Sequence, residues 1–552
     1  MTDPLLVPVP LARGARGAVV APHHLATAAG LTVLASGGSA VDAAIATNAA
    51  LAVVMPSGCG IGGDAFWLIW DAAARRQLAL NGSGRSPAGA DAAALRDRGL
   101  ATLPLRGGLA ITVPGAVRSW GDAHDRFGRL SRAAVLAPAI ELARDGFPAW
   151  DGFVNAVEVT APLLDPASAA GFHSVYRPQG RPWRSGEIVR LPALAATLTR
   201  LADEGFGAFY EGDIAERQCR ALGQAGSAIT PADLAAHTST WGEPISTTYR
   251  GVRVTTHPPN ASGIVALELL NILEGFDPPA RRTFGGGDAR WIHLGIEASK
   301  LAMADRDAHL TDPEHHDIPI ERLIDKAYAQ ELGRGIDTQR ASRPRASTVP
   351  RGGGTIYLAA ADAEGNAVSL IESNYMGFGS GVVDPDTGIH YQNRGSFFSL
   401  DPEHANVLAP GKRTLHTLMP GMLFDERRGA TTEPWVVVGS MGGDAQPQIH
   451  AQVVSGLVDG ALDIRSAISV ARWFVEPDEH FAPPEEVRAE PRFAPAVLDA
   501  LTAMGHPVTA TDAFDSGLGH CHAIELVDGG PSRGGSLAAA TDPRSAGLPA
   551  VR

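Results

Sequence analysis

The spacing of apolar residues changes several times along the chain. Over 23–54 the apolar, Ala-rich positions follow a helical period, broken at Gly37-Gly38. The second piece opens at Ser39, carries Val41, Ala44, Ile45, Ala49 and Val53, and stops at Pro56. A glycine-rich run, Gly58-Cys59-Gly60-Ile61-Gly62-Gly63-Asp64, then leads into strand patterns at 65–70 and 77–80. Helical periods return at 132–145, 192–204, 213–223, 261–274 and 289–305, with a strand at 252–256. The last third reads as strands at 389–392, 421–425 and 435–440, helices at 447–458 and 463–471, and a final hairpin around Asp528-Gly529-Gly530. Residues 1–17 read as a loose arm. Residues 331–354 hold five arginines and no sustained apolar period, and read as an exposed, mobile linker.

Directly after that linker comes the most informative stretch, 352–373. Two runs of β-formers flank Ala363-Glu364-Gly365, a three-residue hairpin loop with Gly at the left-handed position. That loop pairs Asp362 with Asn366, and counting outward sets Thr355 opposite Ser373. Opposed residues have Cβ atoms about 4.5–5.5 Å apart, so two hydroxyls face each other at the hairpin mouth. Three glycines precede the first. A hydroxyl after bare glycines suits a self-cleaving nucleophile, although Gly-Thr at a strand start is common and these residues alone fit an ordinary hairpin behind a flexible linker better. Scission between Gly354 and Thr355 frees an α-amine, pKa about 7.7–8.0, to act as base for its own hydroxyl.

Net charge is −14 with no basic stripe, which disfavours nucleic acid as a partner. No apolar run reaches the roughly 18–20 residues that cross a bilayer. Three scattered cysteines, Cys59, Cys219 and Cys521, make no disulfide framework, and with no apparent signal peptide a cytoplasmic setting is expected.

Other motifs weigh less. Gly58, Gly60 and Gly63 match a dinucleotide fingerprint, but the order is helix, glycines, strand, the reverse of what that site needs. These glycines are expected to let backbone pass close by. Gly530-Pro531-Ser532-Arg533-Gly534 matches a nucleophile elbow, but joins two strands and reads as a turn. His520-Cys521-His522 lacks a second ligand pair, and His315-His316 sits in a polar loop. Gly439 to Pro447, between strand and helix, reads by itself as a glycine-rich turn, and its adjacent glycine N–H groups could also serve an oxyanion.

Together the motifs resemble the gamma-glutamyltransferase family of N-terminal-nucleophile (Ntn) hydrolases. The matching stretches are Gly37–Ala44, Gly60–Phe66, Thr112–Gly115, Ala304–Arg306, Gly365–Ser369, Phe378–Gly381, Gly442-Gly443 and Asp542–Arg544, in order over nearly the whole chain. The resemblance implies an α+β fold, a four-layer αββα sandwich built jointly by residues 1–354 and 355–552 as large and small subunits of one interwoven unit. It implies Thr355 as nucleophile, Ser373 as its supporting hydroxyl, and Gly442 and Gly443 as the oxyanion hole, with no metal or organic cofactor.

The departures bear on substrate. Where the family grips an α-carboxylate with arginine, this chain has Ser83, with Arg85 nearby. The family's ammonium-binding asparagine, glutamine and aspartate match Tyr375, Arg394 and Phe397, and its paired serines match His416 and Thr417. A buried ammonium without its acid costs several kcal/mol, so ordinary γ-glutamyl binding is not expected. The pattern looks more like the amidohydrolase branch, with oxamate amidohydrolase the nearest named activity. Arg394 then suits a carboxylate-bearing small-molecule amide, with His416 a second candidate. The alternatives are a glutathione hydrolase or gamma-glutamyltransferase with a rebuilt pocket, a β-lactam side-chain acylase, and an unprocessed non-catalytic binding protein.

Overall fold

The computed structural model describes residues 11–165, 169–284, 286–342, 354–428, 433–476 and 486–552. Two seven-stranded antiparallel sheets form its centre. One runs Ala12–Gly14, Ser536–Ala540, Cys521–Val527, Val436–Ser440, Gly421–Asp425, Val252–Thr256, Ile245–Tyr249. The other runs Ala550–Val551, Gly17–Val20, Gly354–Asp362, Ala367–Tyr375, Asp64–Asp71, Arg76–Gly82, Thr240–Gly242. Both mix strands from either side of the Gly354–Thr355 bond.

The sheets face each other through a shared apolar layer in which Phe66, Leu68, Tyr357 and Ala359 meet Met422, Phe424, Val437 and Ile524. Alternation places the other residues of each strand outward, against helices. Helices His24–Ala35, Ala40–Val54, Arg132–Asp145 and Pro192–Glu204 cover the second sheet. Gly263–Glu274, Ala289–His309, Gln446–Val458 and Ile464–Ser469 cover the first. The result is the αββα sandwich. Helix Ala40–Val54 is buried at every position, which its small, apolar sequence permits, and Ser39 and Asp42 close its start with a reciprocal capping box.

Some expectations need correction. The first arm is not loose throughout, because Ala12–Gly14 joins a sheet edge. Residues 331–334 finish the helix Lys326–Arg334, whose Ala329 and Gly333 are buried, so the expected linker begins later. Its positions 343–353 lie outside the described residues. Residues 389–392 make only single bridges, His390 to Val383 and Tyr391 to Gly62. The neighbouring stretch turns through positive φ at Phe378, Gly379, Gly381 and Gly388 and supplies no ladder. Among the described residues, no helix is long and apolar enough to cross a membrane.

Candidate active site

The hairpin register sets Thr355 opposite Ser373, with Ala361 opposite Ala367 nearer the loop. The pairing slips at Gly354, which lies opposite Tyr375, so Asn374 is an extra residue and a bulge sits at the expected scissile bond. Tyr375 holds φ 73°, a left-handed conformation uncommon for an aromatic residue. The turn brings its N–H to Ser373 Oγ at 2.7 Å.

Ser373 Oγ is the junction of the site. It lies 2.9 Å from Thr355 Oγ1 and 2.8 Å from the Gly354 carbonyl oxygen. A carbonyl only accepts, so the Ser373 proton points to Gly354 and the Thr355 hydroxyl donates to Ser373. Arg394 Nη2 donates to the same Ser373 oxygen at 3.2 Å, and Nη1 to Thr417 Oγ1 at 3.2 Å. The guanidinium is 1% exposed and stacks on Tyr375 and Phe397, with Cζ 4.7 and 5.1 Å from the ring centroids. Its Nε is buried without a partner, and among the described residues it forms no ion pair with a carboxylate. Burial pulls its pKa down to about 10, so it remains charged at pH 7.

Next to this group, His416 Nε2 meets Asp64 Oδ2 at 3.0 Å, both buried. Asp64 lies opposite Ser373 on the neighbouring strand, and its Oδ1 accepts from Gly84 N and Gly115 N at 3.0 and 3.1 Å. Burial raises Asp64 to about 7, against the pull of Arg394 and those amides. Burial, with Arg394, His257 and Arg413 adding repulsion, holds His416 far below the usual imidazole range and therefore neutral. Its Nδ1 is buried without a partner.

Gly442 and Gly443 follow strand Val436–Ser440, at φ 146° and 55°, and lead into helix Gln446–Val458. Gly439 of that strand lies against the Tyr357 ring, where a Cβ would come within 2.2 Å of Cε2. Tyr357 shares a strand face with Thr355, so Gly439 packs on the face of the hairpin that also carries Thr355. Asp444, one residue on, pairs with Arg306 and contributes to the field at Arg394. The Gln446 amide, oriented as its neighbours require, donates to Thr417 O and Ser440 O at 3.1 and 3.2 Å.

Thr355, Ser373, Arg394, Thr417, Tyr375 and Phe397 thus form one contact group, with His416 beside it. Arg85 does not join. Its guanidinium is held by Asp312 at 3.4 Å and Glu314 at 2.9 Å. Arg413, not expected from sequence, lies nearer, donating from Nε to Ser83 O at 3.1 Å and acting on Asp64 and His416. The glycine-rich run passes close to the hairpin. Gly60 N donates to Glu372 Oε1 at 2.9 Å, and a Cβ on Gly63 would lie 2.3 Å from that oxygen. His520 and His522 take separate roles, one bonded to Ser516 and the other accepting from Asp542 N.

A family model described as gamma-glutamyltranspeptidase matches residues 26–551. The chain belongs to the gamma-glutamyltranspeptidase family. It is 40% identical to a glutathione hydrolase-like YwrD proenzyme of Bacillus subtilis, covering 97% of this chain and 98% of that one. It is 38% identical to an oxamate amidohydrolase proenzyme of Klebsiella pneumoniae, over the same shares. A solved cephalosporin acylase from Bacillus halodurans superposes with a TM-score of 0.88 at 38% identity, covering 100% of this chain and 99% of that one. The fold is that of the Ntn-hydrolases, and this gamma-glutamyltranspeptidase-family chain is an amide hydrolase or acyltransferase of that type. Its family processes itself from a single precursor, as the word proenzyme in both relatives' names reflects.

Proposed function

We propose that the chain is cut before Thr355 and then hydrolyses a small carboxylate-bearing amide of the oxamate type. The observation that carries this reading is Arg394, a buried guanidinium with no carboxylate partner among the described residues, one hydroxyl away from Thr355. An anion anchored there has its charge within a few bonds of the carbonyl under attack. A γ-glutamyl group carries its carboxylate four bonds away and brings an ammonium, which Arg394 would repel.

In the uncut chain the Thr355 hydroxyl attacks the Gly354 carbonyl carbon and passes its proton through Ser373. Breaking the C–N bond frees the α-amine of Thr355, which takes up the proton, and leaves Gly354 as an ester on Oγ1; water hydrolyses that ester to the Gly354 carboxylate and the free Thr355 hydroxyl. That amine then serves as base while Oγ1 attacks the substrate carbonyl. The N–H groups of Gly442 and Gly443 stabilise the oxyanion, ammonia leaves, and water releases the acid. The Tyr375 and Phe397 rings, 4.4 Å apart, favour a second reading in which a bulkier acyl group lies on this wall, as an acylase would need. Three unpaired thiols fit a reducing, cytoplasmic setting.

The test gives the protein oxamate and glutathione together after intact-mass analysis. Wild type is expected as 354- and 198-residue pieces, and Thr355→Ala as one chain of 552 residues. Ammonia and oxalate without glutamate support the reading. Glutamate release overturns it in favour of a glutathione hydrolase, and cut protein that consumes neither favours the acylase. A wild-type chain that stays whole removes the catalytic reading and leaves a binding protein.

A further inference from the structure

Far from Thr355 in the sequence, His293, Glu297 and His506 bring a ligand atom each to within 4.8 Å of one another, all three buried. His293 and Glu297 are one turn apart on helix Ala289–His309, so they share a face. His506 arrives from beyond helix Pro495–Ala503, its backbone fixed by a bond from His506 N to Leu501 O at 3.1 Å.

The hydrogen bonds set the tautomer. His293 Nε2 lies 2.7 Å from the Asp337 carbonyl, which only accepts, so Nε2 carries the proton and Nδ1 presents a lone pair. That lone pair faces His506 Nε2 at 2.7 Å. His506 Nδ1 is buried with no partner. The arrangement is an imidazole whose far N–H is anchored on a backbone carbonyl, the outer support usual for a metal-ligating histidine. Glu297 supplies the hard ligand. Its Oε1 meets Lys300 Nζ at 2.9 Å and its Oε2 accepts from Ser342 N at 3.2 Å.

We propose that His293 Nδ1, Glu297 and His506 Nε2 bind one divalent transition ion, with water completing a tetrahedron. Two imidazoles and a carboxylate suit zinc or cobalt rather than magnesium or calcium. With metal–nitrogen bonds of about 2.0–2.1 Å, tetrahedral nitrogens stand roughly 3.3 Å apart, so the two rings must part slightly. The proton between them moves to His506 Nδ1, and the neutral ring changes tautomer without losing a proton. Lys300 competes with the ion for Glu297.

The position gives the site a role. Asp337 and Ser342 are tied to it, and Ala341 N donates to Met504 O at 2.8 Å beside it. The ion would clamp the chain that leads toward the scissile bond against the lobe carrying His506. If the chain is cut before Thr355, a point that rests on the function proposed above, His293 and Glu297 lie on one piece and His506 on the other. The ion then links the two subunits.

Equilibrium dialysis with zinc, and cobalt absorption in the visible range, test this on wild type and on uncut Thr355→Ala. One ion per chain is expected in both, with intense tetrahedral cobalt bands and a raised Tm. His506→Ala should weaken binding by at least about 100-fold, more than the 10–100-fold an outer partner gives. The isosteric Glu297→Gln guards against misfolding of that variant and should also weaken binding, whereas Lys300→Met should tighten it. No saturable uptake, or uptake unchanged in both His506→Ala and Glu297→Gln, overturns the proposal. Binding to a wild type that remains uncut keeps the site and removes only the link between pieces.

Discussion

Arg394 is where charge and shape at the site can be separated. Lysine keeps the charge but loses the planar fork and the stacking on Tyr375 and Phe397. Charge-assisted hydrogen bonds are worth about 1.5–3 kcal/mol, so Arg394→Lys should lower kcat/KM for oxamate by on the order of 10- to 100-fold. The loss should fall mainly in KM, as steady-state kinetics will read. A loss confined to kcat would mean that Arg394 serves the nucleophile through Ser373 instead. Glu372, next to Ser373, makes a different prediction. It is fully buried, accepts from Asn48 Nδ2 at 2.7 Å, and burial raises it to about 8 from the usual 4.5. The folded protein therefore holds a proton that the unfolded chain releases between pH 4.5 and 8. Its contribution to stability is full below pH 4.5 and is lost as pH rises toward 8. Glu372→Gln mimics the protonated acid, so its Tm should fall less than that of wild type between pH 5 and 8.5. Parallel profiles would refute this protonation. The sequence marks Arg394 through its place in a family pattern. It does not mark the Asp64–His416 pair or Arg413, because nothing local in a chain signals contacts across hundreds of residues.

At the scale of the element, the hairpin is the most legible part of the molecule. A three-residue loop with Gly365 at φ 90° fixes the register, and the register fixes Thr355 against Ser373. Helices 132–145 and 192–204 are likewise read to the residue from their periods. Residues 389–392 mislead because their composition suits a strand while their neighbours' backbone cannot pair. The hairpin loop is also secured from outside its own sequence. Asp362 Oδ1 accepts from Glu364 N and Asn366 N at 3.1 and 2.9 Å, while Oδ2 accepts from Ala40 N at 3.1 Å, at the start of helix Ala40–Val54. Asp362→Ala strips a turn and a helix start together. Urea unfolding should show a loss of about 2–3 kcal/mol, the sum of a helix cap and a turn bond. A loss under about 1 kcal/mol would mean that water replaces the carboxylate there.

At the scale of the molecule, the interleaving of strands decides what a cut can do. Gly17–Val20, from before Thr355, lies between Ala550–Val551 and Gly354–Asp362, from after it. Ala367–Tyr375 pairs on its other edge with Asp64–Asp71, and the facing sheet mixes the two segments in the same way. The buried polar contacts also cross the boundary: Glu372 with Asn48, His416 with Asp64, Arg413 with the Ser83 carbonyl. Separating the pieces would open ladders in both sheets, break those contacts and expose to water the apolar layer the two pieces share. Cleavage at Gly354–Thr355 removes one covalent bond at the mouth of a hairpin and none of these contacts. The two pieces should therefore elute as one species from a native sizing column at micromolar concentration. They should separate only under denaturant, and should melt together in one transition. Pieces that part on dilution without denaturant would show that the sandwich is not one cooperative unit, and that Arg394 and Asp64 need not stay together once Thr355 is freed.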